Sequence, residues 1–139
     1  MTADLGYSLS TVAVPACLDR VHDLLESAWA EHPDVGLTDR TLFEIAVTEV
    51  AGNIVEHAAA GDEPLEIRVV VHVADPRLEA SFEDGGPAAD VDLDAAGFPD
   101  DLAESGRGLA LARRAADEVA YWRDGTTNHW RIVRGRTGA

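Results

Sequence analysis

Three polar side chains recur at four-residue intervals near the end of a long apolar pattern. Glu49, Asn53 and His57 follow one another at this spacing, which stacks side chains on one face of an α-helix. Asn53 can offer its carbonyl oxygen to Mg²⁺, which prefers oxygen ligands. Glu49 can accept a proton from a hydroxyl group or from water. A solvated polar face and a metal site made of the three side chains are alternatives that this motif alone leaves open.

A second motif stands where a strand is predicted to end. Asp84 comes soon after Phe82 and is followed at once by Gly85 and Gly86. A carboxylate accepts hydrogen bonds in fixed directions, as the exocyclic amine of a base requires, and glycines let a flat ring approach the backbone. Asp-Gly is also a common hairpin signal. No strand of matching pattern follows, which argues against the hairpin.

Two glycine-containing segments complete the set of candidates. The sequence Ser-Gly-Arg-Gly-Leu over 105–109 is predicted to open a helix, where free N–H groups and the positive end of the helix dipole bind phosphate. Arg107 can add a charge-assisted bond. Leu111 stands where the dinucleotide fingerprint requires a third glycine, and no Gly-Lys-Ser/Thr loop occurs. Thr126, after Gly125, can bond a base or a water molecule, although an ordinary turn is the alternative.

Hydrophobic spacing predicts the elements that must position these residues. The predicted elements are an edge strand over 7–14, helices over 16–30 and 38–59, strands over 65–73 and 78–82 that form an antiparallel hairpin, a helix opening at 105–106, and strands over 119–123 and 129–133. Thr38 is the expected N-cap of the second helix. Leu111 is expected on the inward face of the third helix, and the polar tail over 134–139 is expected to fray.

This order of elements predicts a two-layer α/β sandwich, with a mostly antiparallel mixed sheet covered by helices on one face. At 139 residues the chain fits a single domain over 1–139. The segment over 87–104 has no periodic apolar pattern and holds several aspartates. A stretch of this length without regular structure is typical of a functional or mobile loop.

The composition narrows the class of partner. The formal net charge is -15, which repels phosphate backbones and anionic membranes and favours a basic protein partner. Cys17 is the only cysteine, so no disulfide can form within the chain, and a reducing compartment fits. The N-terminus lacks a basic signal-peptide region, and no apolar run has the length of a membrane span. A cytoplasmic protein is therefore expected, with no direct nucleic-acid or membrane partner.

The order of these motifs resembles that of the GHKL, or Bergerat-fold, ATPases. The segment 49–58, Glu-Val-Ala-Gly-Asn-Ile-Val-Glu-His-Ala, is similar to the asparagine box of the bacterial anti-sigma-factor serine/threonine kinases. The segment 105–109, followed by Asp-Glu-Val at 117–119, is similar to their glycine box and the strand after it. The resemblance extends over about 12–133. After 84–87, Ala88 and Ala89 stand where many relatives carry another glycine or an aromatic residue.

The resemblance implies an ATP-binding protein kinase with Mg²⁺ as cofactor. It implies that Glu49 is the general base and that Asn53 holds Mg²⁺. The nucleotide-binding residues that it implies are Asn53, His57, Asp84, Gly86, Gly106, Arg107, Gly108, Leu109 and Thr126, with 87–104 as the ATP lid. Implied partners are a sigma factor and an anti-anti-sigma (STAS-type) substrate, with the kinase as a homodimer. A non-catalytic ATP-dependent switch and a nucleotide-independent interaction domain are the alternatives.

Overall fold

The computed structural model describes residues 5–59, 61, 63–88 and 104–138, with the side chains of 5 and of 104–107 left out. The described elements, in chain order, are β1 (Leu5–Val12), α1 (Cys17–Glu31), α2 (Leu37–Ala59), β2 (Glu66–Val73), β3 (Arg77–Asp84), α3 (Glu104–Ala115), β4 (Glu118–Asp124) and β5 (Thr127–Gly135). Each predicted helix and strand is present within a few residues of its predicted bounds.

The five strands form one open sheet in the order β1-β2-β3-β5-β4. All four pairings between the described strands are antiparallel, so this part of the chain holds no mixed sheet. The predicted α/β sandwich with helices on one face is otherwise confirmed. The β3–β5 pairing sets Asp84 opposite Asn128 and Phe82 opposite Trp130. It therefore brings together two segments that are far apart in sequence.

The core lies between the sheet and the helices. Alternate residues of β2 and β3 are buried, as the period of two along a strand requires when one face is covered. Phe43, Val47, Val50 and Ile54 of α2 pack against this face. Because α2 also packs along α3, it is held on two sides, and its polar residues keep fixed positions.

Two sequence-based expectations about the helices are wrong. The N–H of Arg40 donates to the Gly36 carbonyl at 3.0 Å, so α2 begins one residue before the predicted cap, and Thr38 lies exposed inside the first turn. In α3 the buried side includes Leu109, Ala110 and Ala112, whereas Leu111 is 49% exposed. The predicted inward face is therefore right for Leu109 and Ala112, and Ala110 takes the place predicted for Leu111.

The predicted fraying of the tail over 134–139 is also wrong as far as residue 138. Arg134 is buried and donates to Asp39 through Nε at 3.2 Å and Nη2 at 3.0 Å. Thr137 donates to Asp39 through its N–H and its hydroxyl, both at 2.9 Å, and the Gly138 N–H donates at 3.1 Å. Asp39 is 0% exposed, so these bonds tie the end of the chain to the start of α2.

Among the described helices, none combines the length and the apolar character that a membrane crossing requires.

Candidate functional site

Helix α2 carries the three polar side chains that the sequence singled out. Glu49, Asn53 and His57 succeed one another by about one turn, and all three are half-buried. Val50 and Ile54, their neighbours in the sequence, are buried in the core. The buried stripe therefore fixes the rotation of the helix and holds the polar row at the border of the core.

Glu49 lies directly against α3. A Cβ atom at Gly108 would come within 2.5 Å of Glu49 Oε1, so only glycine leaves room there for the carboxylate in its present position. Burial raises the pKa of Glu49 above its ordinary value of 4.5. A carboxylate whose pKa is raised in this way is a stronger base than a solvated one, which suits proton transfer near neutral pH.

Asp84 ends β3 on the helix-covered side of the sheet and is buried. Its Oδ1 atom accepts from the Gly86 N–H and from Asn128 Nδ2, each at 2.9 Å. No described residue donates to the second oxygen, Oδ2. One oxygen of this carboxylate is thus fixed by the protein, and the other can accept a hydrogen bond from a ligand.

A pocket opens between α2 and the end of the sheet beside Asp84. It is narrow, with a cavity volume of about 10 Å³, and it is lined by Asn53, Ile54, His57, Leu65, Asp84, Asn128 and Trp130. The structure therefore brings Asn53, His57 and Asp84 to one pocket. His57 Nε2 is buried and has no hydrogen-bond partner in the described part of the chain.

Gly86 is buried beside the same pocket. A Cβ atom there would lie 2.9 Å from Leu65 Cδ2 and 3.1 Å from Asp84 Oδ1. A larger residue would push the Leu65 side chain, which lines the pocket. Glycine at this position thus preserves both the space of the pocket and the bond from its own N–H to Asp84.

Among the described residues, Asn128 is the one polar residue in the lining of the pocket that the sequence did not predict as a site residue. It is 1% exposed and donates through Nδ2 to Asp84 Oδ1 and to the Pro87 carbonyl, each at 2.9 Å. Its Oδ1 accepts from Tyr121 Oη at 2.5 Å and from Arg123 Nη1 at 2.9 Å. An isolated asparagine after a turn gives no signal by itself, and only the pairing of β5 with β3 places it opposite Asp84.

The glycine segment of α3 lies one helix away from Asp84. Gly106 falls in the first turn of α3, where backbone N–H groups have no partner within a helix. Gly108 and Leu109 stand further along, where N–H groups bond within the helix. The Leu109 side chain belongs to the core, and the side chain of Arg107 lies outside the described residues.

Two other predicted features stand apart from this pocket. Thr126 is exposed in the turn between β4 and β5, and the pocket is lined instead by Asn128, two residues further on. Gly125 precedes Thr126 with φ +62, a left-handed conformation that favours glycine. Most of the predicted lid, at 89–103, lies outside the described residues.

Comparison with known proteins identifies one family. The family described as "Histidine kinase-like ATPase domain" matches residues 12–134, which is most of the chain and includes every candidate site residue. No curated protein matches the sequence.

Two solved structures are similar in fold. The RsbU and RsbW domains of Rv1364c from Mycobacterium tuberculosis give a TM-score of 0.67 at 21% identity, over 97% of this chain and 33% of that one. The histidine kinase domain of the blue-light activated histidine kinase EL346 from Erythrobacter litoralis gives 0.56 at 19% identity, over 88% of this chain and 60% of that one. The chain thus spans about a third and about three fifths of these two structures.

Proposed function

Since the chain belongs to the histidine kinase-like ATPase domain family, we propose that it is an ATP-dependent serine/threonine protein kinase of the anti-sigma-factor type. In this proposal it phosphorylates an anti-anti-sigma (STAS-type) protein and sequesters a sigma factor, as a homodimer in the cytoplasm. Membership of this family means that the chain is an ATPase domain of the GHKL type, which implies ATP binding. The observation that carries the finer proposal is the position of Glu49, one turn of α2 from Asn53 and against Gly108.

The pocket residues fit the base of ATP. Asp84 offers Oδ2 as an acceptor, which matches the exocyclic amine of adenine. The close contacts around Gly86 leave no room for a side chain there, so its backbone stays accessible beside Leu65 and Asp84. His57 Nε2, which is buried without a partner among the described residues, can exchange a hydrogen bond with a ligand in the pocket. Thr126 is the least supported member of the proposed set, because it is exposed in the turn.

The residues on α2 and α3 suit the phosphate end. ATP supplies the γ-phosphoryl group, and Mg²⁺ neutralises the charge that develops as this group is transferred. Asn53 would hold Mg²⁺ through its side-chain oxygen. Gly106, at the open first turn of α3, would offer its N–H to phosphate, with Arg107 as a cationic partner. Gly108 and Leu109 would act by holding α3 against α2, since Gly108 meets Glu49 and Leu109 lies in the core.

Glu49 would act as the general base. Its carboxylate would take the proton of the substrate serine or threonine hydroxyl as the oxygen of that hydroxyl bonds to the γ-phosphorus and the bond to the ADP oxygen breaks. Burial favours this role, because it raises the proton affinity of the carboxylate. Gly108 supports it as well, since a side chain at this position would displace the carboxylate.

The test is phosphoryl transfer from labelled ATP to a purified STAS-type protein by two matched variants. E49Q removes the base, whereas E56Q makes the same charge change at an exposed position of the same helix. We expect E56Q to transfer at the wild-type rate and E49Q to lose about 100-fold or more, while both bind ATP. Equal transfer by E49Q and E56Q would exclude Glu49 as the base.

A non-catalytic switch is the second candidate, in which ATP binding alone sets the capacity to capture a partner. The net charge of -15 favours a basic partner under either function. The switch would replace the kinase if the wild type bound ATP and captured sigma factor but transferred no phosphate to any STAS-type protein. Absence of saturable binding at millimolar ATP with Mg²⁺ would retire both functions.

A further inference from the structure

Asn128 is a buried polar residue that is followed by apolar residues in its row of β5. On the helix-covered face of β5 the next two inward residues are Trp130 and Ile132, both buried. A buried amide in such surroundings costs free energy unless its hydrogen bonds are satisfied. Here they are satisfied by partners on both sides, so the amide is part of an ordered network.

The chemistry of its partners fixes the orientation of the amide. Arg123 can only donate, so it must meet Oδ1, and the Pro87 carbonyl can only accept, so it must meet Nδ2. Nδ2 therefore faces Asp84 Oδ1 as a donor. With Nδ2 donating to Asp84 and Pro87, and Oδ1 accepting from Tyr121 and Arg123, the amide has no strong hydrogen-bonding capacity left for a ligand.

Because the hydrogen bonds of the amide are made within the protein, Asn128 acts on a ligand only through Asp84. Resting on the role proposed above for Asp84, we propose that Asn128 is a positioning residue that sets the selection of the base. It holds Asp84 Oδ1 so that Oδ2 meets the 6-position of the purine, which favours a 6-amino group over a 6-carbonyl. Tyr121 and Arg123, which reach it from β4, hold Asn128 in turn.

Loss of the hydrogen bond from Asn128 to Asp84 is expected to weaken the preference for ATP over inosine triphosphate. Without the Nδ2 donor, the Asp84 carboxylate can rotate or admit water, and its bond to an exocyclic amine loses direction. Inosine triphosphate carries a carbonyl oxygen at the 6-position, and this oxygen opposes a fixed carboxylate. The ratio of ATP affinity to inosine triphosphate affinity therefore reports on Asp84, whereas general loosening of the fold weakens both nucleotides alike.

The experiment is calorimetric titration of the full chain with ATP and with inosine triphosphate, each with Mg²⁺. N128L replaces the amide by an apolar group of similar size. We expect ATP affinity to fall by roughly 10- to 100-fold, as for loss of a hydrogen bond to a charged group, while inosine triphosphate affinity changes little. A ratio unchanged in N128L, with both affinities lowered together, would overturn the inference.

Two further variants keep the test decisive. Y121F removes one bond to Asn128 but keeps the ring against Trp130, so it covers the case in which N128L does not fold. We expect Y121F to lower the ratio about 2- to 10-fold, and an unchanged ratio would contradict the inference. L78A destabilises the same strand as Asp84 at its far end and should leave the ratio unchanged.

The wild-type titration separates the two proposals. A wild type that does not bind ATP would remove the proposed function, and this inference with it. A wild type that binds ATP and prefers it over inosine triphosphate, together with an N128L variant that keeps the same preference, would remove only the role of Asn128.

Discussion

At the scale of single residues, the contact between Gly108 and Glu49 makes a test that separates stability from activity. In an α-helix, alanine is favoured over glycine by about 1 kcal/mol, but a Cβ at 108 would meet Glu49 Oε1 at 2.5 Å. We expect G108A to unfold at a temperature close to that of the wild type and to transfer phosphate at least 10-fold more slowly. Transfer is expected to slow because the added Cβ displaces the Glu49 carboxylate. Thermal unfolding and a transfer assay measure the two effects.

Gly52 supplies the matched control for this change. It lies on α2, and a Cβ there would meet nothing within 4 Å. G52A should therefore gain stability, by up to about 1 kcal/mol, and keep its transfer rate. If G108A retained full transfer, the proposed importance of the space left for Glu49 would have to be given up.

The raised pKa of Glu49 predicts a second effect, on stability against pH. The folded protein keeps the proton of Glu49 to a higher pH than the unfolded chain does. The stability that this proton contributes is fully present below pH 4.5, the ordinary pKa of the side chain. It is lost as the pH rises through the folded-state pKa. We expect E49Q, which stays neutral, to have a larger free energy of unfolding than the wild type at neutral pH. Denaturant titrations well below pH 4.5 should give the same free energy of unfolding for E49Q and the wild type.

Local sequence patterns predict the candidate residues whose spacing alone suggests a role, and the structure brings three of them, Asn53, His57 and Asp84, to one pocket. Glu49, Asn53 and His57 follow from one helical period, and Asp84 follows from a strand with a period of two and the glycines after it. Asn128 could not be found in this way, because its role depends on the pairing of β5 with β3. Register between strands so far apart in sequence is set by packing, which a local pattern does not contain.

At the scale of elements, a fold prediction from sequence succeeds where the pattern is local and fails where order comes from distant residues. Strands β2 and β3 are predictable because buried residues alternate with less buried ones along each of them. The polar composition of the tail predicts fraying, whereas its order comes from Asp39, nearly a hundred residues earlier. Residue type alone predicts Thr38 as the cap, whereas Gly36 takes that position in the structure.

The bonds to Asp39 predict a large effect on stability. Burial opposes ionisation of Asp39, but the hydrogen bonds from Thr137, Gly138 and Arg134 outweigh it, and the pKa of Asp39 is lowered. We expect D39N to lose on the order of 3 kcal/mol of unfolding free energy at neutral pH, because Arg134 is left buried without its counter-charge. The stability that Asp39 contributes is fully present above pH 3.8, the ordinary pKa of the side chain. It is lost as the pH falls through the lowered pKa of the folded state.

Asp34 provides the control, since it also holds the tail. It bonds Arg136 at 2.7 Å, but it lies on the surface with 65% of its side chain exposed. D34N should lose clearly less stability than D39N, because solvent screens an exposed ion pair. Chemical denaturation measures the free energy of unfolding of both variants. Equal losses in D39N and D34N would show that the buried ion pair of Asp39 stabilises the fold no more than the exposed pair of Asp34.

At the scale of the whole molecule, nucleotide binding and folding are linked. A ligand that binds only the folded chain adds stability, about 2.7 kcal/mol at a concentration of 100 times the dissociation constant. We expect ATP with Mg²⁺ to raise the unfolding temperature of the wild type and EDTA to remove most of this rise. N53A should show a small rise that EDTA does not change, because Asn53 is the proposed metal ligand. A full, EDTA-sensitive rise in N53A would contradict that assignment.

The position of Trp130 has a practical consequence. It lines the pocket and is 1% exposed, whereas Trp29 of α1 packs against Phe43 and Trp122 stacks on His129, and neither of them lines the pocket. A nucleotide entering the pocket would change the surroundings of one indole and leave the other two as they were. The protein therefore has its own fluorophore at the proposed binding site, and intrinsic emission can follow occupancy in real time without a label.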